Sequence, residues 1–241
     1  MSIHLQKELT KIKKSVLTLG AMVEERVRMA STSIYERDAE MARHVIQADH
    51  EVDAMEVEIE EECLKILALH QPVAVDLRFL ISVIKINSEL ESVGDQAVNI
   101  AERVEVMAKH GKPVDFDYSV MAQKSQNMLK MSLDAFVNLD VDLAFKVLTL
   151  DDEVDLIKET AYDIIKKAMA AHSDKIGYLI NMLLISRHLE RLADHTTNIA
   201  EEVIYLVEGE IVRHAQHLNQ DDLPDTPEID NNNHTSQDKE Q

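Results

Sequence analysis

The sequence predicts an all-α protein built as two tandem antiparallel three-helix bundles, and three observations carry that prediction. Only five of the 241 residues are Gly and four are Pro, while Ala, Leu, Ile, Glu, Lys and Met, all good helix formers, dominate. Apolar residues recur at three- and four-residue spacings through long segments. The chain also contains one stretch twice, ESVGDQAVNIAE from Glu91 to Glu102 and ERLADHTTNIAE from Glu190 to Glu201, with Glu, Asp, Asn, Ile, Ala and Glu at the same relative positions.

The first helix is expected from about Leu5 to Glu36, with Gly20 as an interruption and no proline. Asp38 is the expected N-cap of a second helix reaching about Leu69. Its seam is Val45, Ala48, Val52, Met55, Ile59, Ile66 and Leu69, at the spacing of an antiparallel bundle. Gln71 and Pro72 end it, because proline disfavours helix at the preceding residue yet suits a first turn. A third helix then runs to about His110, where HGKPV supplies a Gly and a Pro to stop it.

After that loop the register returns. Residues 21–70 match 122–172 at a shift of about 102, so that Asp38, Ala42, Val45, Asp49, Val52, Asp53 and His70 find Asp140, Ala144, Val147, Asp151, Val154, Asp155 and His172. Beyond His172 the shift falls to 99, as a shorter loop before the last helix requires. Each half is three long helices with short turns, which alternate up and down and bury their stripes against one another. The expected division is 1–112 for the first bundle, 113–217 for the second and 218–241 for an acidic tail. That tail is rich in Asp, Asn, Gln and Pro and has too little apolar surface to offset its ordering entropy, so disorder is expected.

A formal net charge of -20 excludes a nucleic-acid groove, whose affinity rests on Lys and Arg, and disfavours anionic membrane surfaces. No apolar run approaches the roughly 20 residues of a spanning helix, and the first residues lack the apolar core of a signal peptide, so a cytoplasmic location is expected. The single cysteine, Cys63, reads as a small buried hydrophobe. No Glu-x-x-His pair, His-Glu-x-x-His, phosphate-cradling Gly loop or Gly-x-Ser-x-Gly elbow is present, which argues against an enzyme.

On an α-helix, Glu91, Asp95 and Glu102 fall within roughly 40° of one another. Ile86, Leu90, Val93, Ala97, Ile100 and Val104 form the apolar stripe, roughly 150° away. The second copy sets Glu190, Asp194 and Glu201 against Ile185, Leu189, Leu192, Thr196, Ile199 and Val203. Asp49 and Asp53 on the second helix, and Asp151 and Asp155 on the fifth, lie at the flank of their stripes, where an antiparallel neighbour can bring them towards these carboxylates. Clustered carboxylates repel unless a cation or protons compensate them. Oxygen ligands, with Asn99 and Asn198 adding carbonyls, suit divalent Mg, Mn or iron. The alternative is a solvated acidic face with no ligand. Gly94 and Ala193 are small beside the second carboxylate of each copy, as close helix approach would require. His50 and His195 adjoin the candidate ligands.

These residues resemble the PhoU family, the accessory proteins of bacterial phosphate-specific transport. The resemblance rests on Glu-x-x-x-Asp at Glu91 to Asp95 and at Glu190 to Asp194, on QPVAVDLR from Gln71 to Arg78, and on YLVEGEIVRH from Tyr205 to His214. It implies two three-helix bundles related by pseudo-twofold symmetry, metal ions on the acidic motifs, and a cytoplasmic adaptor that is no enzyme. It further implies negative regulation of phosphate uptake and of the Pho regulon, by coupling the Pst phosphate ABC transporter to a phosphate-sensing histidine kinase, and self-association as a homodimer. The chain departs from the family pattern at Ser92, where Arg is usual, and at Ala193, where Gly is. A surface carboxylate metalloenzyme and a metal-free helical scaffold are the rival readings.

Overall fold

The computed structural model describes residues 3–110 and 116–211. Its described elements are helices: α1 (Ile3–Glu36), α2 (Ala39–Gln47), α3 (Asp49–His70), α4 (Val75–Ala108), α5 (Ser119–Asn138), α6 (Val141–Ala171) and α7 (Ile176–Glu208), with a 3₁₀ turn at Ser173–Lys175. The first bundle is α1, the α2–α3 pair and α4; the second is α5, α6 and α7. Residues 1–211 belong to one compact unit, and the most extensive helix contact within it is α4 against α7. The expected boundary at 112/113 and the tail at 218–241 lie outside the described residues.

The apolar periodicity becomes the core. In α1, Ile12, Val16, Leu19, Val23 and Val27 are buried at three- and four-residue steps, one stripe per helix. Every residue of the stripes expected on α4 and α7 is buried, Thr196 included. On the second helix Val45, Ala48, Val52, Ile59 and Ile66 are buried and Met55 is half-buried, but Leu69, in the last turn, is 70% exposed. Cys63 is fully buried, and burial first, then Glu60 and Glu62, push its thiol up to about 12.

Gly20 does not interrupt α1, which continues through it. Its lack of a side chain admits α5 instead: a Cβ there would lie 2.9 Å from Leu133 Cδ2. Gly94 does the same on a smaller scale, since a Cβ would meet Val52 Cγ1 at 3.3 Å. The expected close approach of helices is thus present beside Asp95.

The second helix is two helices. Asp38 caps it as expected, accepting from the backbone N–H groups of Glu40 and Met41 at 2.8 and 3.0 Å, but the helix breaks at Ala48. There the Gln47 carbonyl accepts from His50 Nδ1 at 2.9 Å, and the Glu51 N–H turns to Ala48 O at 3.1 Å. A side chain has taken the acceptor that the i→i−4 ladder would have used. The matching residue in the second half is Asp152, which cannot donate in this way, and α6 runs unbroken. Removing the cap should be measurable: Asp38→Ala should cost about 1 kcal/mol in urea unfolding, with no change in m.

Candidate metal centres

The fold brings α3 and α6 alongside the carboxylate faces of α4 and α7. In the first half Asp53 repels Asp49, Glu56, Glu91 and Asp95, and Asp95 repels Asp49 and Glu91. Burial raises the pKa of Asp49, and Asp53 and Asp95 add to it. Glu91 is raised by burial and then by Asp95, with Asp53 and Glu56 contributing. Asp95 is raised by burial and by Asp53, while His195 of the other half opposes the shift.

The second half repeats the arrangement with Asp151, Asp155, Glu190 and Asp194. Burial, followed by the charges of Asp194, Asp155, Asp152 and Glu190, pushes Asp151 up to about 7. Asp194 is raised by burial, then by Glu190 and Asp155. Of the ten carboxylates expected, eight interact in these two groups, four to a half, with Glu56 as an unforeseen fifth in the first and Glu102 and Glu201 outside them.

The halves differ in compensation. Lys158 of α6 pairs with Glu190 and lies 3.5 Å from Asp155 Oδ1; its counterpart at the 102 shift is Glu56. The first cluster thus has an extra negative charge where the second has a positive one. Arg26 opposes the shift of Asp49, but it is committed to Glu51 at 2.5 Å.

Four other candidates stand differently. Glu102 accepts from Arg103 Nη2 at 2.7 Å and faces His188. Glu201 and Asn99 are partly buried on the same helices. Asn198 donates its amide to Glu89 Oε2 at 3.1 Å, across the α4–α7 contact. His50 is occupied by the Gln47 carbonyl described above.

The pairing of α4 with α7 contains polar groups that periodicity did not single out. His195 Nδ1 lies 2.8 Å from Glu89 Oε2, and His188 Nδ1 lies 3.0 Å from Gln96 Oε1. Residues 89 and 96 become 188 and 195 at the repeat shift of 99, so these are one contact made twice about a pseudo-twofold axis. That relation was the available signal: two polar positions on the repeated helix, each with a partner at the other's repeat. Burial first, then Arg103, Arg191 and Arg187, depress the His188 imidazole to about 4, so it is neutral here.

The donor set is hard, anionic and largely uncompensated, which fits an oxygen-ligated divalent cation. Among the described residues no three His, Cys, Asp or Glu side chains already converge at ligating distance. A cation would therefore draw these carboxylates inward by rotamer changes, which exposed or half-exposed side chains make at low cost. Glu91, Asp95, Asp49 and Asp53 would hold it in the first half, and Glu190, Asp194, Asp151 and Asp155 in the second.

The two stretches singled out at residues 71–78 and 205–214 meet in space. Arg78 lies over the Tyr205 ring at 5.9 Å, at the C-terminus of α7, where a cation complements the helix dipole. Gly209 caps α7 at φ 80, and a Cβ there would meet Arg78 Nη1 at 2.6 Å. Residues 212–214 lie outside the described residues.

The PhoU domain profile matches residues 16–104 and again 118–203, one copy to each half. The chain is 37% identical over 209 residues to the phosphate-specific transport system accessory protein PhoU homolog of Pseudomonas putida, covering 86% of this chain and 82% of that protein. It is 34% identical over 209 residues to phosphate-specific transport system accessory protein PhoU of Escherichia coli strain K12, covering 86% and 87%. Among solved structures, PhoU from Pseudomonas aeruginosa superposes with a TM-score of 0.83 at 35% identity, over 85% of this chain and 99% of that one. The phosphate transport system regulatory protein PhoU from Streptococcus pneumoniae gives 0.78 at 32% identity, over 86% and 99%. With both halves matched, the fold shared and the paired carboxylates in place, this chain belongs to the PhoU family.

Proposed function

We propose that this chain is a cytoplasmic, metal-binding adaptor that negatively regulates phosphate uptake and the Pho response, coupling a Pst phosphate ABC transporter to a phosphate-sensing histidine kinase. The observation that carries the metal part is the repeated cluster of carboxylates that raise one another's pKa on both halves. The regulatory part rests on the family and on the names of its members, which are accessory or regulatory proteins of phosphate transport. A bound divalent cation would supply the positive charge these clusters lack. The chain's own residues do the rest: Asp49, Asp53, Asp151 and Asp155 approach from one helix, and Glu91, Asp95, Glu190 and Asp194 from its neighbour.

A partner-facing surface is supported by exposed apolar residues around residues 71–78. Val73 and Val75 are 74% and 66% exposed, and Val75 and Phe79 border a groove of about 410 Å³ that reaches Leu206 and Val207. Among the described residues no helix is long and apolar enough to cross a membrane, and the proposal places contact with the transporter on this exposed apolar surface. Val75→Asp should weaken capture of the transporter or kinase at least about tenfold while leaving the Tm unchanged. Self-association as a homodimer is part of the proposal and is read by sedimentation.

The experiment is deletion and complementation. Loss of the gene should derepress starvation-response expression in high phosphate. A variant with Glu91, Asp95, Glu190 and Asp194 changed to Ala should fail to restore repression, and full restoration by it would refute the metal-dependent adaptor. The rival reading is a metallohydrolase in which the same carboxylates would hold a cation that positions an attacking water. Metal-dependent phosphoester turnover abolished by Asp194→Ala would decide for that reading.

A further inference from the structure

The second half carries three cations that the first half lacks. Lys158, Arg187 and Arg191 border an open groove of about 860 Å³ between α6 and α7, with Tyr162 and Ser186 on its wall. Their counterparts in the first half are Glu56, Ser88 and Ser92. Arg187 and Arg191 are one turn apart on α7 and both are exposed, so their guanidinium groups can act on one ligand. Among the described residues neither makes a hydrogen bond or an ion pair. The same groove is bordered by Glu190 and Asp194, two of four carboxylates on its wall.

Two exposed guanidinium groups one turn apart, bound to none of the neighbouring acids, are available to an anionic ligand. Planar guanidinium forks match the oxygens of a tetrahedral oxyanion, and a third donor from a facing helix would close the grip. Four carboxylates outnumber three cations on the wall, so a dianion is repelled while the acids are bare. Compensation of Glu190 and Asp194 by a divalent cation reverses that balance. It also frees Lys158, which is now held by Glu190.

We propose that the α6–α7 groove is a phosphate site, that Lys158, Arg187 and Arg191 hold the anion, and that it fills only when the adjacent carboxylate cluster holds a divalent cation. The first half, with Glu56, Ser88 and Ser92, takes the cation alone. The inference rests on the metal reading above and extends it: the two halves are unequal, one a cation site and the other a joint site for cation and anion. No bond is made or broken; the event is binding, with rearrangement of one ion pair.

The test is isothermal titration of the full chain with inorganic phosphate, in Mg²⁺ and again in EDTA, alongside titration with Mg²⁺ alone. Phosphate should bind once per chain in Mg²⁺ and at least about tenfold more weakly in EDTA. The double variant Arg187→Ala, Arg191→Ala should lose phosphate binding at least about tenfold while Mg²⁺ binding without phosphate is retained or tightened, because two cations have left the wall that carries Glu190 and Asp194. Both side chains are exposed, so folding should be unaffected. Ser92→Arg should leave phosphate stoichiometry at one, because Glu56 still lines the first half. Mg²⁺ binding without any phosphate binding overturns this proposal and leaves the metal reading standing; no Mg²⁺ binding overturns the metal reading itself. Phosphate binding that is equal in EDTA, or that survives loss of both arginines, also overturns the proposal.

Discussion

Adding Mn²⁺ or Mg²⁺ to the metal-free protein should raise its thermal midpoint, and should do so more at pH 8 than at pH 5. A ligand that binds only the folded state at a hundredfold excess over its Kd stabilises by about 2.7 kcal/mol per site, which for a chain of this size is roughly 5–10 °C. The pH dependence follows from Asp151, whose pKa is pushed up from 3.8 to about 7 in the fold. The folded state holds that proton more tightly than the unfolded chain. Its stabilising effect is therefore full below pH 3.8 and is lost as the pH rises through 7. At pH 8 the bare cluster repels itself and a cation has most to relieve. Asp151→Asn in metal-free protein should accordingly raise the midpoint at pH 8 by about 2–4 °C, an amount limited by the water still reaching that side chain. It should also reduce the gain on adding metal. Differential scanning fluorimetry at both pH values, with EDTA as reference, reads all of these shifts.

Phe136→Ala should be among the most damaging single changes outside the acidic clusters, at about 3–5 kcal/mol. Phe136 on α5 is fully buried and stacks on Phe79 of α4, with ring centroids 6.4 Å apart, so it ties the second half to the first. Truncating it leaves a cavity at a junction made from both halves, and the loss should appear as a lower urea midpoint. One cooperative transition is expected in the variant as in the parent, since residues 1–211 form one compact unit. Two separated transitions in the variant would mean that the bundles fold independently of this contact.

Much of this architecture is legible in the sequence because it depends on local rules repeated twice. The stripes of α4 and α7, the Asp38 cap, and the stop at Gln71 each follow from residues close in sequence. What escaped depends on partners far along the chain or on a single side chain. The break at Ala48 arises because His50 competes for one carbonyl, while the seam through Val45, Ala48 and Val52 reads as continuous. Gly20 reads as a helix interruption, yet the space it leaves is filled by Leu133 of α5, more than a hundred residues away.

The candidate site shows the same divide. Outward carboxylates at the repeat spacing were evident on each helix, and the packing places α3 against α4 and α6 against α7 so that four repel one another in each half without converging. Glu56 and Lys158 were not evident as members, since they stand at equivalent positions of the repeat but carry opposite charges. Nor were Glu89, Gln96 and His188, which matter only because α4 and α7 lie together. Composition pointed to acid, but only the fold shows that one acidic cluster has a lysine within it and the other does not.

The most direct measurement is the number of divalent ions held per chain, by equilibrium dialysis against Mn²⁺ followed by elemental analysis, in wild type and in two double variants. Asp53→Asn with Asp95→Asn should remove the ion or ions of the first half alone, and Asp155→Asn with Asp194→Asn those of the second alone. Wild-type protein that retains no ion above the dialysis buffer, or equal retention in all three proteins, would contradict the account.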